Sequence, residues 1–266
     1  QILGDVLDLG VPSDATVTTA KLADNNVTTA KLAYNPNPNR NIIINGDMSI
    51  AQRGTSVSGI TDDEYYTIDR WKTDCDTLGT WTQSQSTDVP TAQGFANSLK
   101  MDCTTADASP SASDKLTIQT RFEGQMLQYL KKGTSSAESL TLSFWVKSNK
   151  TGTYIIEFED SDNARKFSKS YTIDTADTWE KKTITFAGDT SGTLDNDANR
   201  SLNLFFWLGA GTNFTSGTLN TSWNASVSNS DRAVGQVNLA DNTANEWYIT
   251  GVQLEAGTSA SDFEFL

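Results

Sequence analysis

The feature that most constrains this chain is a two-residue hydrophobic alternation that recurs along most of its length. Leu140, Leu142, Phe144 and Val146 alternate with Thr141, Ser143, Trp145 and Lys147. The same pattern runs through Leu116, Ile118 and Phe122 against Thr117, Gln119 and Arg121, and through Tyr154, Ile156 and Phe158 against Ile155, Glu157 and Glu159. It returns at Ile184 and Phe186, at Leu202, Leu204, Phe206 and Leu208, and at Trp247 and Ile249. Side chains on a strand point to opposite faces in turn, so this period marks strands with one face buried. The one helical spacing, Met126, Leu127 and Leu130 within Glu123 to Lys132, is short. Many strands and no long helix predict an all-β, two-sheet sandwich, most simply a jelly roll.

Composition agrees and excludes several chemistries. The chain is poor in apolar residues (36 %) and rich in Thr, Ser and Asn, which favour strands and turns. It has no histidine, which removes Ser-His-Asp and Cys-His relays and histidine-based metal sites. Its two cysteines, Cys75 and Cys103, cannot build a zinc or iron–sulfur centre; a disulfide between them and two separate thiols are both open readings. A formal charge of −13 argues against nucleic acid as a partner. No apolar run has the roughly 20 residues needed to span a bilayer as a helix, so no membrane insertion is expected.

Residues 1–40 read differently from 41–266. Val17-Thr18-Thr19-Ala20-Lys21-Leu22-Ala23 returns ten residues later as Val27-Thr28-Thr29-Ala30-Lys31-Leu32-Ala33. Each unit offers only one Val and one Leu, too little for a core of its own. Three chains side by side would bury Val17, Leu22, Val27 and Leu32 along a common axis as an extended stalk. The alternative is a flexible tether. Asn35-Pro36-Asn37-Pro38-Asn39 then forms a stiff connector into the second domain.

Three segments carry a resemblance. They are "NIIINGDMSIAQRGTS" from Asn41, continuing to Asp69-Arg70-Trp71, then "LTLSFWVKSNKTGTY" from Leu140 and "WYITGVQLEAGTSASDF" from Trp247. Together they resemble the jelly-roll domain at the ends of bacteriophage tail fibres and related virion proteins, which is itself similar to β-sandwich carbohydrate-binding modules. The repeat resembles the stalk repeats that precede such tips. The resemblance implies a homotrimeric virion appendage, attached to other virion proteins through its N-terminal side and mediating host attachment. It also implies that the first and last strands lie close together. Two alternatives stand beside it: a purely structural virion component, and a carbohydrate-binding module of a secreted glycan-active protein.

Candidate sites follow. Trp81 and Trp223 lie in polar surroundings and are the first candidates for a tip surface that touches a cell-surface glycan. Trp145, Phe205 and Trp207 alternate with the aliphatic face of their strands. If those strands are neighbours they form an outward aromatic patch, for sugar stacking or a trimer interface. The acid pairs Asp160/Asp162 and Asp195/Asp197 read as solvated loop residues or ion ligands rather than the two carboxylates of a glycosidase, and no enzyme is expected. No cofactor is called for. The resemblance leaves room for a structural calcium, with Asp47 and Glu255 as candidates and no ligand set fixed by the sequence.

Overall fold

A computed structural model describes residues 41–265. The stalk positions Val17, Leu22, Val27 and Leu32 lie outside the described residues. Twelve strands form two six-stranded antiparallel sheets. In chain order they are β1 (Ser56–Ile60), β2 (Asp63–Glu64), β3 (Lys72–Asp76), β4 (Thr80–Ser86), β5 (Ser98–Thr105), β6 (Lys115–Glu123), β7 (Leu140–Ser148), β8 (Gly152–Asp160), β9 (Arg165–Ile173), β10 (Glu180–Phe186), β11 (Arg200–Ala210) and β12 (Glu246–Ala256). The first sheet runs β1-β4-β5-β12-β7-β10 and the second β2-β3-β6-β11-β8-β9. The expected all-β sandwich of jelly-roll type is therefore present.

The alternation places the core. Leu142, Phe144 and Val146 of β7 meet Leu204, Phe206 and Leu208 of β11 between the sheets, all fully buried. Trp71, Trp81 and Trp247 fill the same layer with no exposed surface. Phe206 makes edge contact with Phe144, ring centres 5.2 Å apart, a geometry that adds to plain area burial.

The segment from Asn41 to Met48 is a turn rather than a strand, joined to its neighbour by two backbone hydrogen bonds. Ile42 N–H donates to the Leu254 carbonyl (2.9 Å) and Val252 N–H to the Gly46 carbonyl (2.9 Å). The segment before β1 thus lies beside the last strand, whereas β1 itself, which the resemblance placed near that strand, pairs with β4 at the sheet edge. Asn45, not Gly46, takes the left-handed conformation (φ 59°). Gly46 serves close approach: a Cβ there would stand 2.0 Å from the Val252 carbonyl oxygen. The short helix expected across Glu123 to Lys132 is instead two 3-10 turns, Gly124–Met126 and Gln128–Leu130. Three apolar residues hold it to the core without enough turns to propagate an α-helix.

Cys75 lies on β3 and Cys103 on β5, in different sheets, and both are free and buried. Burial pushes both thiols up to about 11. They behave as small core groups, not as reactive thiols.

Candidate functional site: a groove on the outer face of the second sheet

The residues that alternate with the core of β3, β6, β11 and β8 project from the outer face of the second sheet. Antiparallel register sets them in three cross-strand rows. One row is Lys72, Gln119, Phe205, Glu157. The next is Asp74, Thr117, Trp207. The third is Arg121, Asn203, Glu159 and Lys166. Strand spacing puts these neighbours about 5 Å apart, so each row behaves as one continuous strip.

Half of this face is covered by the chain itself. The segment from Gly211 to Val237, opening with the short helix α1 (Thr212–Thr215), folds back over β8, β9 and β11. It builds a second small core in which Phe214 and Ala233 pack on Ile155, Phe205 and Trp207. Arg232 closes it. Its guanidinium grips the fully buried Glu157 through Nε (2.8 Å to Oε1) and Nη2 (3.0 Å to Oε2), and lies 5.7 Å and 5.4 Å from the ring centres of Phe205 and Trp207. Trp207 Nε1 donates to the same carboxylate (3.1 Å). Burial pushes the Glu157 carboxyl up, and the paired Arg232 opposes that rise.

The other half is open. There Asp74, Lys115, Thr117, Gln119, Arg121, Glu159 and Arg200 line a groove of about 180 Å³, with the covered rings at its edge. Its polar groups are partly engaged: Lys115 Nζ pairs with Asp74 (2.5 Å) and Arg121 Nε donates to the Gln119 Oε1 (3.2 Å). The Thr117 hydroxyl on the floor is fully buried and has no hydrogen-bond partner among the described residues. Buried polar atoms are nearly always satisfied, so such a group usually marks a place where something else supplies the partner. A second cavity of about 300 Å³ shares Arg121 and Arg200 with the groove and adds Arg53, Tyr65, Arg70 and Glu123.

The aromatic candidates fall elsewhere than expected. Trp81 is in the core with no exposed surface, its Nε1 donating to the Leu78 carbonyl (2.7 Å), so it offers no face to a sugar. Its polar neighbours are the outward residues of its own strand, which is why the local sequence misleads. Trp223 is half-buried: its ring caps Phe158 and Phe167 at one end of the sandwich and its Nε1 donates to the Ala187 carbonyl (2.8 Å). Trp145 and Trp207 share no patch. Trp145 is half-buried on β7 in the first sheet, whereas Phe205 and Trp207 belong to β11 in the second and lie under Arg232. The groove residues Thr117, Gln119 and Arg121 were visible as the polar partners of the β6 alternation. Arg53, Arg70 and Arg200 come from segments remote in sequence and left no local signal.

Of the four acids, Asp162, Asp195 and Asp197 lie in loops and are exposed or half-buried, as expected, and Asp160 departs from that role. Asp160 is buried against Lys132, and Asp162 accepts the Asp195 N–H (3.0 Å). Asp197 accepts the Asn199 N–H (2.8 Å). Asp47 accepts from Ser49, and Glu255 from the Ser261 hydroxyl (2.7 Å) and Gln253 (2.9 Å), so these two candidates hold separate turns. Among the described residues no three carboxylates or thiols are grouped to hold a metal ion.

The sequence matches no known protein family and no curated protein. Among solved structures the chain is similar to the enzymatically active domain of tailspike protein 4 of bacteriophage CBA120, at 11 % identity and a TM-score of 0.41, over 82 % of this chain and 21 % of that one. It is similar to the family 11 carbohydrate-binding module of a cellulosomal cellulase of Clostridium thermocellum, at 13 % identity and 0.38, over 77 % and 98 %. A cyclase from Fischerella sp. TAU matches at 11 % identity and 0.43, over 82 % and 98 %. Function must therefore be read from the groove's own residues.

Proposed function

We propose that this chain is the glycan-binding part of a homotrimeric bacteriophage fibre, carried on the virion and acting outside the cell it was assembled in. Residues 41–266 hold a cell-surface saccharide reversibly, without chemical change, while residues 1–40 join three chains and connect them to other virion proteins. The observation that carries the binding half is the open groove over β3, β6 and β11. It sets the Arg121 guanidinium, Lys115 and Arg200 around a floor of Gln119 and Thr117. Sugars present rows of hydroxyls at similar spacing, and convergent donors and acceptors in a concave site fix such a ligand's orientation. The fibre half is supported by the ten-residue repeat and the three sequence motifs. Three weak sites on one fibre, and several fibres on one particle, multiply retention without any new contact.

The groove by itself suits a carbohydrate-binding module of a secreted protein equally well; the repeat at Val17 and Val27 is what favours the fibre. A glycan array with the full chain tests the binding half. Binding to at least one oligosaccharide is expected, and Gln119→Ala or Arg121→Ala should weaken it about tenfold, the loss of one charge-assisted or well-placed hydrogen bond. If the unmutated chain retains no saccharide, or both variants bind as well as it does, the groove is not the site and a purely architectural role gains.

A further inference from the structure

The cavity that continues the groove holds four of the six arginines among the described residues: Arg53, Arg70, Arg121 and Arg200. Lysine is absent from its lining, and Glu123 is its single carboxylate. In a chain of net charge −13 this concentration of one sign is unexpected, because like charges brought together repel and the fold gains nothing from it. Two of the four are only partly engaged. Arg53 Nη1 pairs with Asp69 (3.0 Å), its guanidinium 5.6 Å from the Tyr65 ring centre, and Arg121 uses Nε on Gln119. Arg70 and Arg200 are exposed and have no ion pair among the described residues.

The position of Arg70 is also built rather than incidental. It adopts the left-handed conformation (φ 73°), which is uncommon for a long side chain, between two fixed neighbours. On one side Asn45 Nδ2 donates to the Asp69 carbonyl (2.8 Å). On the other Trp71 is fully buried and its Nε1 donates to the Asn45 carbonyl (3.0 Å). The neighbouring Asp69 serves Arg53 and leaves Arg70 to the cavity.

Guanidinium groups are the side chains best matched to a carboxylate or phosphate, through two parallel N–H donors. The volume of about 300 Å³ sits at the lower end of the range for small-ligand sites, roughly 300–1,000 Å³. Because Arg121 and Arg200 line both spaces, a saccharide in the groove would run directly into the basic cavity. We infer that this protein selects acidic saccharides, the cavity of Arg53, Arg70, Arg121 and Arg200 receiving a carboxylate- or phosphate-bearing sugar while the groove holds the neighbouring residues. This deepens the glycan-binding reading and rests on it. It also reconciles that reading with the chain's net negative charge, because the cavity concentrates positive charge locally.

Calorimetry on the full chain with three probes tests the inference: tetragalacturonate, its fully methyl-esterified form, and inorganic phosphate. The acid is expected to bind at least about tenfold more tightly than the ester, with affinity falling as salt rises from low to physiological strength. Arg200→Gln and Arg70→Asn, the second chosen because Asn tolerates the left-handed backbone, should each remove about tenfold of the acid's affinity and leave the ester's unchanged. Unaltered melting temperatures in both variants would confirm that the fold is intact. Equal binding of acid and ester, or unaltered acid binding in both variants, overturns the charge selection and leaves the groove reading standing. Phosphate binding as tightly as tetragalacturonate overturns the saccharide specificity of the cavity. If neither oligosaccharide binds, both readings fall.

Discussion

Lys132 is the residue whose environment departs most from what a surface lysine experiences. Its side chain is 7 % exposed; its Nζ contacts Asp160, lies 3.0 Å from Asp189, donates to the Gly192 carbonyl (2.7 Å), and sits 5.2 Å from the Trp223 ring centre. Arg165 forks onto Asp189 at 2.6 and 2.9 Å. Two cations and two carboxylates thus tie the end of β8 to the loop after β10 and to the Trp223 segment. Burial alone would raise the Asp189 carboxyl, but the hydrogen bonds from Arg165 and Lys132 outweigh it and hold the group below the usual carboxylate range. A carboxyl depressed in the folded state stabilises fully above its unfolded value of about 3.9 and loses that contribution as pH falls through the folded value. Thermal melts of the protein should therefore be flat near neutrality and drop once the pH passes below about 4. Lys132→Met removes the cation paired with the buried Asp160, while Asp189 keeps Arg165, and should cost about 3–5 kcal/mol at pH 7. A variant that melts with the parent at pH 7 would show that the cluster is relaxed by water and contributes little.

At the scale of elements, the contact between the entering segment and β12 depends on one missing atom. A Cβ on Gly46 would overlap the Val252 carbonyl, so Gly46→Ala must push the segment off β12 and strain the Ile42–Leu254 and Val252–Gly46 hydrogen bonds. Denaturant titration should record a loss of about 1–3 kcal/mol, as for other overpacked sites. An unchanged midpoint would mean that the segment is held by Ile43 and Met48 in the core rather than by its backbone pairing. The elements also show where the sequence was legible. Strands β6, β7, β8, β10, β11 and β12 were readable because each buries a clean alternating set, Leu142-Phe144-Val146 being the plainest. Strand β4 was not, because a polar residue, Gln83, occupies a core position. Gln83 is fully buried and satisfied by the Thr67 N–H (3.0 Å) and the Thr73 hydroxyl (2.7 Å), a pairing no single stretch of sequence declares. The candidate site divides the same way. Its β6 residues lay in the alternation, whereas the aromatic face of β11 was misread because the covering loop comes from Gly211 onward and the partner strands were unknown.

For the whole molecule, the fibre reading makes a mass statement. Sedimentation of the full chain should give about three times 28.9 kDa, and a monomer at micromolar concentration would sink the trimeric stalk. The sandwich gathers four of its six arginines in one cavity on the side of the second sheet. Entry beside β12 in the first sheet and the groove on the outer face of the second are separate parts of the architecture. Because residue 42 and residue 254 are hydrogen-bonded neighbours, the domain begins and finishes at one place, like a plug with both pins on the same side. Such a unit can be joined to a carrier at a single spot on its surface without disturbing strand order.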